Sequence, residues 1–507
     1  VVNKSDAEKK SDRSLGQHML HGSFWMILLR WAIRLTGLVS TVILARLLVP
    51  ADFGIVAMAM FVVGLLELLA QSGQKLAIIR HHAPGREEYD TAWTVSVLSY
   101  SVISVLIFIS APFAVLYFHE PRVAPVLRLL ALRSFLAGFE NIGIVDFRRD
   151  LKFNIFFLYT FSLKAISFVV TVSLAFVLRN YWALVAGILS SGILSIVLSY
   201  AVHPYRPRFS LARIGDIWSF STWTLLQSIG EYFNAQADQV VVGGLSGSSA
   251  MGRYAVASDV AASPTNEITG PIVAALYPVM SRTRSDPIAL RNLYLRTFGW
   301  AATICFSAAV GTTMVAHDLI SLILGNRWLD IEPLMGWLAL AAGLLGLSSG
   351  AYTAFDALGK AYLAARMQWT RVIILLIVLV PVGLILRSLP AIAVARFVVT
   401  ALFIPTLLFS VGREVGVSVL DYAKEMWRPA VSAGLMSLLI YLVNHWLIPG
   451  NLRLTGDVLL GLLVFPCSLL LLWSFVGKPS GPESDLWNML LNLYTKYRNR
   501  ALCSDNV

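Results

Sequence analysis

Long apolar runs separated by short polar turns dominate the chain. Runs over 24–47, 54–79, 92–118, 123–147, 154–178, 181–202, 214–245, 252–280, 297–324, 333–358, 361–386, 388–412, 426–447 and 454–476 are each near or above the roughly 20 residues that a helix needs to cross a bilayer core. The pattern predicts an all-α polytopic membrane protein with fourteen spans. The stretch from Ala45 to Arg80 is typical. It opens on an arginine and a proline-marked turn, runs apolar with a lone Glu67 midway, and ends in basic residues.

Lys and Arg alternate with this topology, as they should if cytoplasmic loops hold the excess. Clusters such as Arg148, Arg149 and Lys152, then Arg206, Arg208 and Arg213, then Lys360, Arg366 and Arg371 fall on one side, together with the basic residues of both termini. The loops of the other side carry one arginine each: Arg46, Arg122, Arg179, Arg253, Arg327, Arg387 and Arg453. Both termini are therefore expected in the cytoplasm. The segment before the first span is polar and mixed in charge, with no small-residue cleavage site after the first apolar run, so no removable signal peptide is expected.

A weak internal repeat divides the chain. Phe53, Gly54, Ala57 and Ala59 align with Met251, Gly252, Ala255 and Ala257 at an offset of 251 − 53 = 198. The expected organisation is a cytoplasmic segment 1–23, one six-helix bundle 24–202, a second 203–412 related to it by a pseudo-twofold axis, an appended helix pair 413–476, and a cytoplasmic tail 477–507. Shared small-residue packing is the plainer source of such a match.

Charges within the spans point to function. Arg30, Arg34, Lys75, Arg128, Arg133, Lys164 and Arg396 lie there with Glu67, Glu140, Glu231, Asp238, Asp259, Glu267 and Asp356. Each would cost about 2.5–3.5 kcal/mol at a lipid-facing helix centre. Their spacing puts them on polar stripes: Arg30, Arg34, Gly37 and Thr41; Gly64, Glu67, Gln71 and Gln74; Thr160, Lys164, Ser167 and Thr171; Thr224, Gln227, Glu231, Asn234 and Asp238; Asp259, Ser263, Asn266 and Gly270. Bases dominate the first half and acids the second. A cationic chamber beside an acidic one is the expectation, although Arg128, Lys75 and Asp356 sit near span ends where side chains snorkel.

Composition agrees with the pattern. Of 507 residues, 57% are hydrophobic and 14% charged, and the mean hydropathy is +0.71, which excludes a water-soluble globule. The net charge of +11 is spread over loops and reads as topology, not as a nucleic-acid surface. Cys305 and Cys467 lie in apolar spans and Cys503 in the tail, so neither a disulfide framework nor a metal site is expected. There is no P-loop, HExxH, CxxC pair or nucleophile elbow. His81 and His82 read as a solvated turn, and APGREEYD at 83–90 as a loop with a helix start.

Six motifs carry a resemblance: LLVPADFGIVAMA at 47–59, FRRDLKF at 147–153, NYWALVAG at 180–187, DQVVVGGLSGSSAMGRYAVAS at 238–258, YPVMSR at 277–282 and LGNRWLDIEPL at 324–334. In this order they resemble the bacterial polysaccharide transporter family, flippases of lipid-linked oligosaccharides within the multidrug/oligosaccharidyl-lipid/polysaccharide exporter superfamily. The resemblance extends from the first span through the twelfth. It implies transport, without enzymatic chemistry, of an oligosaccharide joined through pyrophosphate to undecaprenol, from the cytoplasmic to the periplasmic face of the bacterial inner membrane. The product would serve exopolysaccharide, capsule or O-antigen synthesis, with membrane lipids, a polysaccharide polymerase and export machinery as partners and no nucleic acid. On that reading Arg30, Arg34, Arg133 and Lys164 would neutralise the pyrophosphate, with Glu67, Gln71 and Gln74 beside the sugars. Glu231, Asp238, Asp259 and Glu267 would carry a coupling proton or sodium, and no cofactor is expected. A peptidoglycan-precursor flippase, a drug exporter of the same superfamily and, from another class, a membrane polymerase or ligase are the competing readings. The short external loops argue against the last.

Overall fold

A computed structural model describes residues 4–70, 78, 84–217, 222–446, 450–479, 481–485 and 487, with side chains from Phe24 onward. Among them every regular element is helical. The long helices are α1 Lys4–Leu47, α2 Pro50–Ala70, α3 Arg86–Phe118, α4 Val123–Ala137, α5 Phe153–Leu178, α6 Trp182–Val202, α7 Thr222–Thr283, α8 Pro287–Met314, α9 Glu332–Ala357, α10 Ala361–Leu386, α11 Leu389–Val415, α12 Val419–Asn444 and α13 Asn451–Phe475.

Eleven helices among the described residues are long and apolar enough to cross a membrane. They match eleven of the expected spans, which makes the chain a multi-pass membrane protein. The fourth expected span is the 15-residue α4 followed by two short helical turns. The seventh and eighth share the 62-residue α7, whose two arms meet at Gly247, the one non-helical position inside it, with φ 79°. Only glycine takes that conformation without strain.

The chain divides into two compact units, Val1–Tyr232 with Gly243–Gly252, and Phe233–Val242 with Arg253–Val507. In the first, α1 packs on α5, α5 on α6, α6 on α4, and α2 and α3 on α4 and each other. In the second, α9 packs between α8 and α11, α10 on α11, and α12 between α8 and α13. The core of this unit is built from Tyr294, Phe298, Phe355, Phe403 and Tyr422 among smaller apolar residues.

Local chemistry sets the helix ends. Asp286 caps α8 through Ile288 N at 3.0 Å and Ala289 N at 3.1 Å, with Pro287 at the first helical position. Asp52 bonds Val49 N at 3.2 Å and reaches the start of α6 at Tyr181 N, 3.1 Å away. One carboxylate thus ties LLVPADFG to NYWALVAG. APGREEYD does more than start a helix: Tyr89 donates to Asp146 and accepts from Arg149 at 2.6 Å, while Asp90 holds Tyr205 at 2.5 Å and Arg208 N at 2.9 Å. It clamps FRRDLKF and the segment after α6 to the start of α3.

Candidate functional site

The first unit carries three cations at similar levels of two adjacent helices. Trp25 meets Phe157 at a ring distance of 5.1 Å, and further along Leu44 and Leu48 pack with Leu174 and Ala175. α1 and α5 therefore run parallel and in register. With a rise of about 1.5 Å per residue, Lys164 stands about 10 Å beyond Phe157, between the levels of Arg30 and Arg34, about 7 and 13 Å beyond Trp25. Lys164 is exposed, and Arg30 and Arg34 are half-buried. Lys164 makes no ion pair among the described residues.

Arg133 differs from these three. Its guanidinium pairs with Glu67 at 2.7 Å, and Ser134 donates to the same carboxylate oxygen at 2.6 Å. Sequence spacing suggests Glu140 as the neighbour of Arg133, but Glu140 accepts from Tyr159 at 2.8 Å. A turn before Glu67, Gly64 admits Tyr232, whose hydroxyl would lie 2.5 Å from a β-carbon there and donates to Phe61 O at 2.9 Å. Gln71 and Gln74, together with Lys75, His81 and His82, lie outside the described residues. The lower part of the α5 stripe serves packing: Ser167 donates to Gly187 O at 2.8 Å, and Thr171 fills the space above Gly187.

The repeat seen in the sequence is a physical contact. A β-carbon on Gly54 would lie 1.8 Å from Ser248 O, and one on Gly252 would lie 1.8 Å from Pro50 O. Ser248 and Pro50 are themselves 198 residues apart, as Gly252 and Gly54 are. Each copy thus meets the other by the same atoms, a local twofold crossing. Ser248 also donates to Glu120 at 2.9 Å, whose carboxyl the adjoining Arg122 holds below the usual range at 2.8 Å.

The second unit contains a buried polar knot joining three helices. Asp238 on α7 is fully buried against Arg396 of α11. One turn earlier, Asn234 donates to Gln368 Oε1 at 2.6 Å and to its carbonyl at 2.9 Å, which ties α7 to α10. Arg371, 3% exposed, donates to Thr400 of α11 at 3.2 Å and leaves its Nε without an acceptor among the described residues. Fully buried Tyr254 completes the knot. Arg371 reads in the sequence as one of the cytoplasmic-side bases, yet it sits three turns into α10. Its spacing from Gln368, three residues back on the same face, is the signal that would have found it.

Of the other expected coupling acids, Glu231 and Asp259 are exposed and Glu267 is half-buried, whereas Asp238 is fully buried with an arginine beside it.

The family model described as "Polysaccharide biosynthesis protein" matches residues 43–333. The chain is 24% identical over 340 residues to the lipopolysaccharide biosynthesis protein WzxC of Escherichia coli K12, covering 66% of this chain and 68% of that one. It is 25% identical over 310 residues to the succinoglycan biosynthesis transport protein ExoT of Rhizobium meliloti, covering 61% and 63%. A solved structure of the lipid II flippase MurJ in an inward closed conformation superposes with a TM-score of 0.70 at 14% identity, over 90% of this chain and 99% of that one. That likeness shows a shared fold. The match over more than half its length means that this chain belongs to the polysaccharide biosynthesis protein family.

Proposed function

We propose that this protein carries lipid-linked oligosaccharides from the cytoplasmic to the periplasmic leaflet by alternating access, in the fourteen-span topology with both termini inside. The observation that carries the reading is the shared level of Arg30, Arg34 and Lys164 on two packed helices of the first unit. Three positive side chains at one level of two packed helices suit a group with two or more negative charges, such as a pyrophosphate, and a neutral drug would have no use for them. Arg30, Arg34 and Lys164 would meet the pyrophosphate. Arg133, held by Glu67, would serve as a polar wall with Ser134 and Tyr232, facing the sugars with Gln71 and Gln74. Membership of a polysaccharide family, beside relatives described as biosynthesis and transport proteins, favours a polymer repeat unit over a peptidoglycan precursor.

Coupling would run through Asp238. A sodium ion would have to displace the Arg396 guanidinium, whereas a proton on Asp238 removes the partner that holds Arg396. Protons therefore fit this carboxylate better than sodium does. Asp259 and Glu267 would then form the path between Asp238 and water.

The experiment is deletion with lipid analysis. Cells lacking the chain should accumulate a complete lipid-linked repeat on the cytoplasmic leaflet. Lys164→Gln and Arg34→Gln should abolish polymer export at unchanged protein levels, and Lys164→Arg should restore it. Normal export from both charge-removed variants would end the pyrophosphate assignment, and absence of any accumulated lipid-linked sugar would end the transport reading.

A further inference from the structure

The second unit has a cavity that the transport reading leaves unused. It is about 420 Å³ in volume and lies where the end of α8 meets the start of α9, lined by Thr313, Glu332, Pro333, Gly336, Trp337 and Leu340. That size falls within the range of small-molecule sites. Two of its walls have unspent chemistry. Trp337 packs one side against Phe397 with ring centroids 5.3 Å apart and remains 38% exposed. Glu332 binds His317 Nδ1 through Oε2 at 2.7 Å, with its side chain 42% exposed. Glu332 Oε1 and Trp337 Nε1 make no hydrogen bond among the described residues. Glu332 is also in the first turn of α9.

We infer that this cavity is a sugar-binding subsite, in which Trp337 supplies an apolar platform for the C–H face of a pyranose ring and Glu332 accepts hydrogen bonds from neighbouring hydroxyls. A pyranose is amphipathic in this sense, with axial C–H groups on its faces and hydroxyls around its rim. An exposed indole next to a carboxylate matches both parts, since aromatic side chains offer an apolar body with a polar tip and carboxylate oxygens accept hydrogen bonds from hydroxyls. The Glu332 end of α9 follows the loop containing Arg327, on the external side in the proposed topology. The ring bound there would belong to a glycan already delivered. In this respect the inference rests on the transport reading.

The test uses the purified full chain in lipid nanodiscs and saturation-transfer NMR. The probes are methyl β-glucoside, methyl β-galactoside and methyl N-acetyl-β-glucosaminide, together with the oligosaccharide released by mild acid from the lipids of cells lacking the chain. Transfer to ring C–H protons of at least one probe is expected. It should disappear in Trp337→Ala and persist in Trp337→Phe. Glu332→Gln should weaken binding about tenfold, the effect of one charge-assisted hydrogen bond. Equal transfer from wild type and both Trp337→Ala and Glu332→Gln, or none from wild type to any probe, overturns the subsite and leaves Trp337 as an aromatic anchor at the membrane surface. If no oligosaccharide can be harvested, the transport reading fails instead, and the methyl glycosides still decide the subsite. Should Trp337→Ala fail to fold, Glu332→Gln alone carries the decision.

Discussion

Replacing Gly252 by alanine adds one methyl group at the point where the two repeat copies cross. Its carbon would stand 1.8 Å from Pro50 O and 2.8 Å from Gly54 N. Both neighbours are backbone and cannot rotate away. Ordinary contact begins at 3.4 Å, so the helices must separate by about 1.6 Å. Overpacking of this kind costs about 1–3 kcal/mol. Gly54→Ala meets Ser248 O at the same 1.8 Å, so the two single variants should be destabilised alike. Once either methyl has parted the helices, the other finds the space already open. The double variant should therefore cost less than the sum of the singles by at least about 0.5 kcal/mol. Denaturant unfolding of the purified protein in mixed micelles measures all three. Gly434→Ala on α12 is the control, because nothing lies within 4 Å of its added carbon and alanine favours the helix by about 1 kcal/mol. If Gly252→Ala is as stable as Gly434→Ala, or if the double variant is strictly additive, the reciprocal crossing is refuted.

Other perturbations test other parts of the molecule. Arg396→Met leaves the Asp238 carboxylate alone in a fully buried setting and should cost about 3–5 kcal/mol; Asp238→Asn in the same background should recover much of it, and a cycle without coupling would contradict the pair. His203 lies 3.4 Å from Asp146 with its Nδ1 accepting from Tyr205 N at 3.3 Å, and burial lowers its pKa from the usual 6.5. The unfolded chain thus binds that proton more readily, and stability should be full above pH 6.5 and decline as pH falls below it. His203→Gln should flatten the decline in unfolding measured from pH 7.5 to 5.5, and an unchanged slope would remove His203 from the account. Asp52→Ala leaves Val49 N and Tyr181 N unsatisfied and should cost about 1–2 kcal/mol, read as faster amide exchange at the start of α6; Asp52→Asn should keep most of the protection.

Hydropathy alone marks the eleven helices long and apolar enough to cross a membrane among the described residues, because each span has to satisfy the bilayer by itself within about 20 residues. The six motifs likewise settle the family. The repeat at offset 198 is visible as four matched residues, but that Gly54 and Gly252 touch each other depends on two helices meeting at their backbones. Partner choice among charges was not legible either. Glu140 is the acid nearest Arg133 in sequence, yet Glu67, on another helix, takes it; Asp238 was visible as a buried acid, but Arg396 reaches it only once α11 has packed. A charge inside a membrane must find a counter-charge, and sequence shows the demand. Which distant side chain meets it is decided by helix packing, over separations that no local periodicity encodes.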